Sequence, residues 1–314
     1  MENTLSTCEK HEEYAECTLC PRNCKANRYS SHGFCNCGSE MLIARIAPHL
    51  WEEPFLSGQG IETPIRGSGT VFFCGCNLGC IYCQNFKISR PSPNSNFGKI
   101  YSPNRLADEF IRLQETGVHN INLVTAGHFL PSVAESIRLS RKRGLRIPTV
   151  YNSSGYEKVS SLRKLEGLID IYLPDLKYFS KKSSADYSAA PDYPEIARAA
   201  IEEMYRQTGK PRFDSNGFMQ SGTAIRHLIL PGCDFDSTRI IAWIHENFGS
   251  DGVCLSIMNQ YTPVNETTFP ELSETLPRSA YIRVVEKAQT LGFKHLYTQE
   301  DGTASESFIP NFST

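Results

Sequence analysis

The sequence lacks the features that would indicate a secreted, membrane or nucleic-acid-binding protein. Residues 1–11 are polar and contain no apolar stretch like that of a signal peptide. No apolar run reaches the roughly 18 residues that suggest a membrane span. The formal net charge is only −2, so no positive excess favours nucleic acid or an anionic membrane. We therefore expect a cytoplasmic protein, and the charge argues against nucleic acid or a membrane as partner.

The chain is unusually rich in cysteine. It contains 12 cysteines, ten of them between Cys8 and Cys83. Because the cytosol keeps thiols reduced, dense cysteines there are more often metal ligands than disulfides. The remaining composition, 40% hydrophobic and 21% charged, is that of an ordinary globular protein with a sizeable core.

The pattern of apolar residues divides the chain into four parts. We predict a cysteine-rich metal-binding segment at 1–40, a connector at 41–69, a barrel domain at 70–300 and a C-terminal tail at 301–314. In the domain, apolar strands alternate with amphipathic helices, which predicts an α/β fold with a parallel sheet. The predicted strands are 70–74, 120–125, 147–151, 168–173, 227–230, 253–257 and 295–297. The predicted helices are 103–116, 131–143, 160–165, 193–207, 238–247 and 280–291. This pattern suggests a partial (β/α)6 TIM-like barrel, with its chemistry at the carboxyl ends of the strands.

Three cysteines directly after the first barrel strand form the strongest motif. Cys76, Cys80 and Cys83 have the spacing C-x3-C-x2-C. Iron–sulfur clusters are normally held by four thiolates, so three on a [4Fe–4S] cluster would leave one iron open to a small molecule. The alternatives are a zinc site or a chance group of buried cysteines. The spacing and the position after a strand favour the cluster.

This motif resembles the radical S-adenosylmethionine (SAM) signature C-x3-C-x-Φ-C, with Tyr82 as the aromatic residue. Residues 70–85 are similar to the corresponding loop of glycyl-radical-enzyme activating enzymes. The segment Cys17-Thr18-Leu19-Cys20-Pro21-Arg22-Asn23-Cys24 resembles the CxLCPRxC segment of uncharacterised, pyruvate formate-lyase activating enzyme-like radical SAM proteins. Most of residues 67–265 takes part in this similarity.

Further motifs carry the resemblance to the activating enzymes into the barrel. Asp175-Leu176-Lys177 resembles their DLK motif, Asn152-Ser153 lies in a stretch like their DTNG turn, and Arg226 lies in a stretch like their IRYxxxPG strand. Their second strand ends in GGE, whereas residues 124–128 read Val-Thr-Ala-Gly-His without the glutamate. His128 there is either a SAM contact or a packed, neutral histidine. The resemblance implies a cofactor-binding set of Tyr82, Thr125, His128, Asn152, Ser153, Asp175, Lys177 and Arg226.

The resemblance also implies the chemistry. A radical SAM oxidoreductase cleaves SAM reductively at its [4Fe–4S] cluster, and the resulting 5′-deoxyadenosyl radical abstracts hydrogen from a substrate. An electron donor such as flavodoxin or ferredoxin would be a partner, and a glycyl radical enzyme would be the protein substrate. One alternative is radical modification of a small molecule, peptide or RNA. Another is a non-catalytic zinc or iron–sulfur binding protein.

A second group of cysteines lies in the N-terminal segment. Cys17, Cys20, Cys24, Cys35 and Cys37 could close either a structural zinc site or a second [4Fe–4S] cluster. Cys8 and His11 are possible additional ligands. The spacing leaves open which of Cys35 and Cys37 would be the fourth ligand. Because this segment has almost no apolar core of its own, metal binding would contribute its folding energy.

Overall fold

The computed structural model describes residues 11–58, 66–91, 97–263 and 267–299. Cys8 and the predicted tail at 301–314 lie outside these residues. The described chain forms an α/β structure around a ten-stranded sheet, which confirms the predicted fold class. The division into four parts stays a prediction. No helix in the described ranges is both long and apolar enough to cross a membrane.

The sheet is an open partial barrel. Its strands are β1 (Met41–His49), β2 (Ser68–Phe73), β3 (Lys99–Tyr101), β4 (Ile121–Val124), β5 (Thr149–Ser153), β6 (Ile171–Pro174), β7 (Arg212–Phe213), β8 (Met219–Leu228), β9 (Cys254–Met258) and β10 (Leu296–Thr298). Their order is β10-β9-β8-β6-β5-β4-β2-β1-β3, with β7 beside β8. From β2 to β10 the pairing is parallel, whereas β1, β3 and β7 pair antiparallel. Because the parallel strands follow chain order, their carboxyl ends meet at one edge.

The described residues contain nine α-helices, and those after β2 lie in the connections between parallel strands. The nine helices are α1 (Pro54–Ser57), α2 (Phe86–Ser89), α3 (Pro103–Glu115), α4 (Leu130–Lys142), α5 (Val159–Leu162), α6 (Lys181–Ser188), α7 (Tyr193–Thr208), α8 (Asp234–Phe248) and α9 (Arg278–Thr290). The start of α3 is confirmed in detail, since the Ser102 side chain accepts a hydrogen bond from the Arg105 N–H at 3.2 Å and Pro103 occupies the first turn.

The structure differs from the prediction in several elements, since α1, α2, β3 and β7 were not predicted, and three further differences have a clear reason or consequence. The strand predicted at 227–230 is in fact β8, which begins at Met219, so most of this long strand was missed. Helix α6 was not predicted because its sequence KKSSADYS is short and rich in serine, a weak helix former. The connector contains β1, an edge strand that pairs antiparallel with β2.

Two apolar layers cover the two faces of the sheet. On the outer face, residues such as Leu123, Tyr151 and Tyr172 pack against the helices. On the opposite, inner face, Phe55 and Leu56 of α1 pack against apolar side chains of four strands: Val150, Ile171, Leu173, Met219, Ala224 and Cys254. Helix α1 therefore lies inside the partial barrel.

Candidate active site at the carboxyl edge of the sheet

Three cysteines meet in the loop that leaves β2 at its carboxyl end. Strand β2 ends at Phe73, and Cys76, Cys80 and Cys83 follow before α2 begins. All three are free, partly exposed thiols. Burial, together with the neighbouring sulfurs of Cys80 and Cys83, raises the pKa of the Cys76 thiol to about 12. The three sulfurs are therefore close enough for their charges to interact, and as thiolates they would need a cation among them.

An iron–sulfur cluster fits this donor set. Metal binding replaces the thiol protons and supplies the missing positive charge. The Lys177 ammonium group already counteracts part of the rise that burial causes in the pKa of Cys83. The Leu78 N–H lies 3.4 Å from the Cys76 sulfur and donates to it, a contact of the kind that tunes sulfur ligands. Three thiolates would leave one iron of a [4Fe–4S] cluster free for a small molecule.

A charged array lies beside this loop, where β6 ends and β8 passes. The Asp175 carboxylate accepts hydrogen bonds from Lys177 Nζ at 2.6 Å and from Arg226 Nε at 2.9 Å. Arg226 Nη2 also donates to Asn152 Oδ1 at 2.7 Å. Although burial opposes ionisation, Arg226 and Lys177 hold the pKa of Asp175 below its usual value. All three charges are therefore present at neutral pH.

The array connects the sheet to the cysteine loop through Lys177. Its ammonium group interacts with Asp175 and with Cys80. The side chains of Asp175, Lys177 and Arg226 keep 15–17% exposure, so they retain some access to solvent. This arrangement can receive a ligand that carries a carboxylate and hydroxyl groups next to the three thiols.

Tyr82 is buried in a cluster of tyrosines next to the cysteine loop. Its hydroxyl accepts a hydrogen bond from the Tyr178 hydroxyl at 2.8 Å. Its ring centroid lies 6.2–6.5 Å from those of Tyr178, Tyr187 and Tyr261. The predicted contact with a nucleoside would therefore use a ring whose position is fixed by its neighbours, and that contact stays a prediction.

The other predicted residues have different surroundings. Thr125 adopts a left-handed φ of 61°, which is uncommon for a branched residue, and its N–H donates to the Asn152 carbonyl at 2.8 Å. The Ser153 hydroxyl donates to Glu157 Oε1 at 2.8 Å. The buried His128 ring donates to the Cys74 carbonyl at 2.7 Å, and burial lowers its pKa. Asn152 is therefore part of the array. Ser153 instead contacts Glu157, and His128 contacts Cys74.

The comparison with known families agrees with this site. Residues 70–218 match the model of the Radical SAM superfamily. This part of the chain is a radical SAM domain. An uncharacterised protein of Methanocaldococcus jannaschii is 26% identical over 291 residues, which cover 90% of this chain and 77% of that protein. The similarity to this relative therefore extends beyond the radical SAM domain.

The N-terminal segment is attached to the radical SAM domain by hydrogen bonds. The Ser161 hydroxyl donates to the Leu19 carbonyl at 2.6 Å, and the Tyr14 and Ser132 hydroxyls lie 3.0 Å apart. His11 lies 3.4 Å from the Glu135 carboxylate, which gives this possible ligand another partner. Each of these contacts joins the segment to a helix or loop that follows β4 or β5.

The buried guanidinium group of Arg28 lies among the N-terminal cysteines and interacts with three of them, Cys17, Cys35 and Cys37. It also donates to the Gly38 and His128 carbonyls. The sulfurs of Cys24 and Cys35 are both 3.4 Å from the point where a Cβ of Gly33 would lie. In the described residues no group of three or more His, Cys, Asp or Glu side chains is arranged to hold a metal ion. Because the described residues include Cys76, Cys80 and Cys83, metal at both groups of cysteines stays a prediction.

Cys35 and Cys37 have different environments. The Cys37 thiol donates to the Cys74 carbonyl at 3.3 Å, which ties it to the residue at the end of β2. The Cys35 sulfur is a second acceptor for the same Cys37 proton, and this contact, with help from His128 and Arg28, lowers the pKa of Cys35 to about 5. Cys37 therefore contacts the radical SAM domain, whereas Cys35 faces the other N-terminal cysteines.

Arg22 is a residue of this region that our sequence analysis did not select. Its guanidinium group donates to the carbonyls of Asn77 and Leu78 in the cysteine loop, both at 2.9 Å. It also donates to the Ser188 and Ala189 carbonyls at the end of α6, at 2.9 and 2.6 Å. One side chain of the CxLCPRxC segment thus holds the loop that carries the three thiols. No local sequence pattern could connect residue 22 with residues 77 and 188.

Proposed function

We propose that this protein is a radical SAM enzyme that cleaves SAM reductively and abstracts a hydrogen atom from a substrate. The observation that carries the proposal is the three-thiol loop beside the Asp175–Lys177–Arg226 array. Superfamily membership supports the enzyme class, since radical SAM proteins are generally enzymes. A non-catalytic metal-binding protein would have no use for this array next to the thiols.

The residues of the chain would act mainly by positioning. Cys76, Cys80 and Cys83 would hold a [4Fe–4S] cluster, which after reduction by an external donor would supply one electron to bound SAM. Cleavage of the S–C5′ bond of SAM would give methionine and a 5′-deoxyadenosyl radical that abstracts hydrogen from the substrate. Lys177 would pair with the methionine carboxylate. Asp175 and Asn152 would accept hydrogen bonds from ribose hydroxyls. The buried tyrosines around Tyr82 would exclude water from the reactive carbon.

For the substrate we propose a glycine residue of a glycyl radical enzyme. The support is the similarity of the barrel motifs to those of the activating enzymes. A small molecule, another peptide or RNA is the alternative substrate class. Flavodoxin or ferredoxin would supply the electron. A glycyl radical on an added partner, detected by electron paramagnetic resonance, would distinguish the first substrate from the others.

We also propose a second metal centre on Cys17, Cys20, Cys24 and Cys35. Cys35 is the better fourth ligand, because its sulfur lies near that of Cys24, whereas the Cys37 thiol is bonded to the Cys74 carbonyl. Through the hydrogen bond of Cys37 to the Cys74 carbonyl, the segment that holds the second centre would be linked to the residue after β2, and so to the cysteine loop. Such a position suits electron transfer toward the first cluster, and zinc in a purely structural centre is the alternative.

The proposed function is tested by anaerobic reconstitution with iron and sulfide. With dithionite, we expect the parent protein to convert SAM to methionine and 5′-deoxyadenosine, measured by mass spectrometry. The triple variant Cys76→Ala/Cys80→Ala/Cys83→Ala should lose this activity and the iron of one cluster. Cys233→Ala, which changes a cysteine outside both groups, is the control. Unchanged iron content and SAM cleavage in the triple variant would refute the assignment.

A further inference from the structure

Two glutamates enter the partial barrel with α1. Glu52 and Glu53 directly precede this helix, whose Phe55 and Leu56 are buried against the inner face of the sheet. The Leu56 carbonyl accepts a hydrogen bond from the Asn120 side chain at 2.9 Å, just before β4 begins. Helix α1 is therefore fixed near the amino end of the strands. The two carboxyl groups lie above it, on the side of the charged array.

The surroundings of the two carboxyl groups confirm this position. Glu52 Oε2 lies 3.8 Å from Arg226 Nη1. Glu53 is close to Ser256 on β9, and burial raises its pKa to about 7 although Arg226 and Ser256 oppose the rise. Burial raises the pKa of Glu52 as well. The interior thus carries more carboxyl groups than Lys177 and Arg226 neutralise.

Asn122 is one of several buried polar side chains with atoms that lack a hydrogen-bond partner in the described residues. It is fully buried on β4, between the apolar residues Ile121 and Leu123. One amide N–H is near enough to the Glu52 carboxyl to lower its pKa through a hydrogen bond, whereas the amide oxygen and the second N–H have no partner among the described residues. Buried amides normally have partners. An amide with a free donor and a free acceptor therefore points to a ligand.

The position of Asn122 separates this site from the array. In the sheet register Asn122 pairs with Val150, whereas Asn152 of the array pairs with Val124, nearer the carboxyl edge. Asn122 thus lies one inward-facing layer deeper than the residues beside the three thiols. A ligand that reaches Asn122 would be bound below SAM, where a substrate would meet the radical.

We propose that Asn122, Glu52 and Glu53 recognise an amide group of the substrate. An amide offers one N–H and one C=O in a plane, and these match the acceptor and donor of Asn122 and the acceptor oxygens of the glutamates. An ammonium group would leave the Asn122 donor unpaired. A carboxylate would leave the Asn122 carbonyl oxygen without a donor. The inference rests on the proposed function and narrows the substrate to a peptide or carboxamide.

The test uses reconstituted, SAM-bound protein without reductant and a set of three matched probes. N-acetylglycinamide has two amides and no charge, whereas pentylammonium carries an ammonium group and pentanoate a carboxylate, each without an amide. We expect N-acetylglycinamide to bind at least about tenfold more tightly than the other two, because an unpaired buried group costs about that much in affinity. Binding is measured by isothermal titration calorimetry or saturation-transfer NMR.

Variants locate the bound probe. Asn122→Leu and Glu53→Gln should each weaken N-acetylglycinamide at least about fivefold, while cluster absorbance and SAM affinity stay at the parent values. Glu246→Gln, an exposed change on α8, should bind like the parent. If Asn122→Leu does not fold, Asn122→Ser takes its place. The proposal is overturned if N-acetylglycinamide does not bind, if pentylammonium or pentanoate binds more tightly, or if the Asn122 and Glu53 variants bind like the parent.

The failure of this inference can be separated from failure of the proposed function. Probe binding is measured without reduction, so it does not depend on SAM cleavage. Protein that binds the probe at Asn122 but never forms 5′-deoxyadenosine would refute the function and keep the site. Protein that cleaves SAM but has no amide preference would keep the function and refute the site.

Discussion

Asp175 shows how one carboxylate organises the proposed SAM site. It is bonded to both Lys177 and Arg226, and Arg226 is further held by Asn152 and approached by Glu52. Removing Arg226 would leave Asp175 and Glu52 with too little positive charge, which would destabilise the fold as well as the site. Removing Lys177 leaves Asp175 paired with Arg226. Lys177 is therefore the better position at which to test ligand binding alone.

We predict that Lys177→Met weakens SAM binding by roughly 30-fold or more, because it removes one partner of a desolvated charge pair. Iron content and the cluster spectrum should not change. The measurement is titration of reconstituted, unreduced protein with SAM. Lys182→Met is the matched control, since Lys182 is 84% exposed and pairs with Asp186 on α6. A SAM affinity equal to that of the parent would place Lys177 outside the site.

The N-terminal segment is the element that couples most directly to the cysteine loop. Arg22 lies between Cys20 and Cys24 and donates to two carbonyls of the loop. Cys37 reaches the same loop through the carbonyl of Cys74. The order of the loop therefore depends on the fold of the segment. If a metal stabilises the fold of the segment, loss of that metal should make the loop that carries the three thiols less ordered.

We predict that Cys17→Ser/Cys20→Ser releases one metal centre and leaves the cluster on Cys76, Cys80 and Cys83 in place. Amide hydrogen exchange should become faster in residues 11–40 and, through Arg22, in the loop at 76–83. Elemental analysis would distinguish zinc from iron. Cys233→Ser is the control. Full metal retention in the double variant would show that these cysteines are only packing residues.

The elements that the sequence predicts well are those with their own periodic pattern. Helix α3, with its Ser102 cap, and the alternation from β4 to β9 follow from local residues. The three-cysteine motif is equally local. The docking of Arg22 on the loop and the entry of Glu52 into the barrel are long-range contacts, which no local pattern specifies. Asn122 can be noticed in the sequence as a polar residue within an apolar strand. Its depth in the barrel relative to the array, however, depends on the register between β4 and β5.

At the scale of the whole molecule, buried ionisable groups give opposing contributions to the pH dependence of stability. Burial lowers the pKa of His227 to about 4, so its contribution to the free energy of unfolding is lost as pH falls from about 6.5 toward 4. Burial raises the pKa of Glu157 to about 7, although Ser153 and Tyr151 act in the opposite direction. Because this folded-state pKa is raised, the contribution of Glu157 is present at low pH and lost as pH rises toward 7.

Glu157→Gln isolates that contribution. Between its usual pKa of 4.5 and its folded pKa of about 7, wild-type Glu157 keeps a proton in the folded state that the unfolded chain releases. The wild type should therefore lose up to about 3 kcal/mol of unfolding free energy from this group between pH 4.5 and 7, whereas the neutral glutamine should lose none. Denaturant unfolding of reconstituted protein at pH 5 and pH 8 measures the difference. We expect Glu157→Gln to gain stability relative to the parent as pH rises, with the exposed Glu246→Gln as the control. A parallel pH profile for Glu157→Gln and the parent would mean that the Glu157 carboxyl ionises in the folded protein as it does in the unfolded chain.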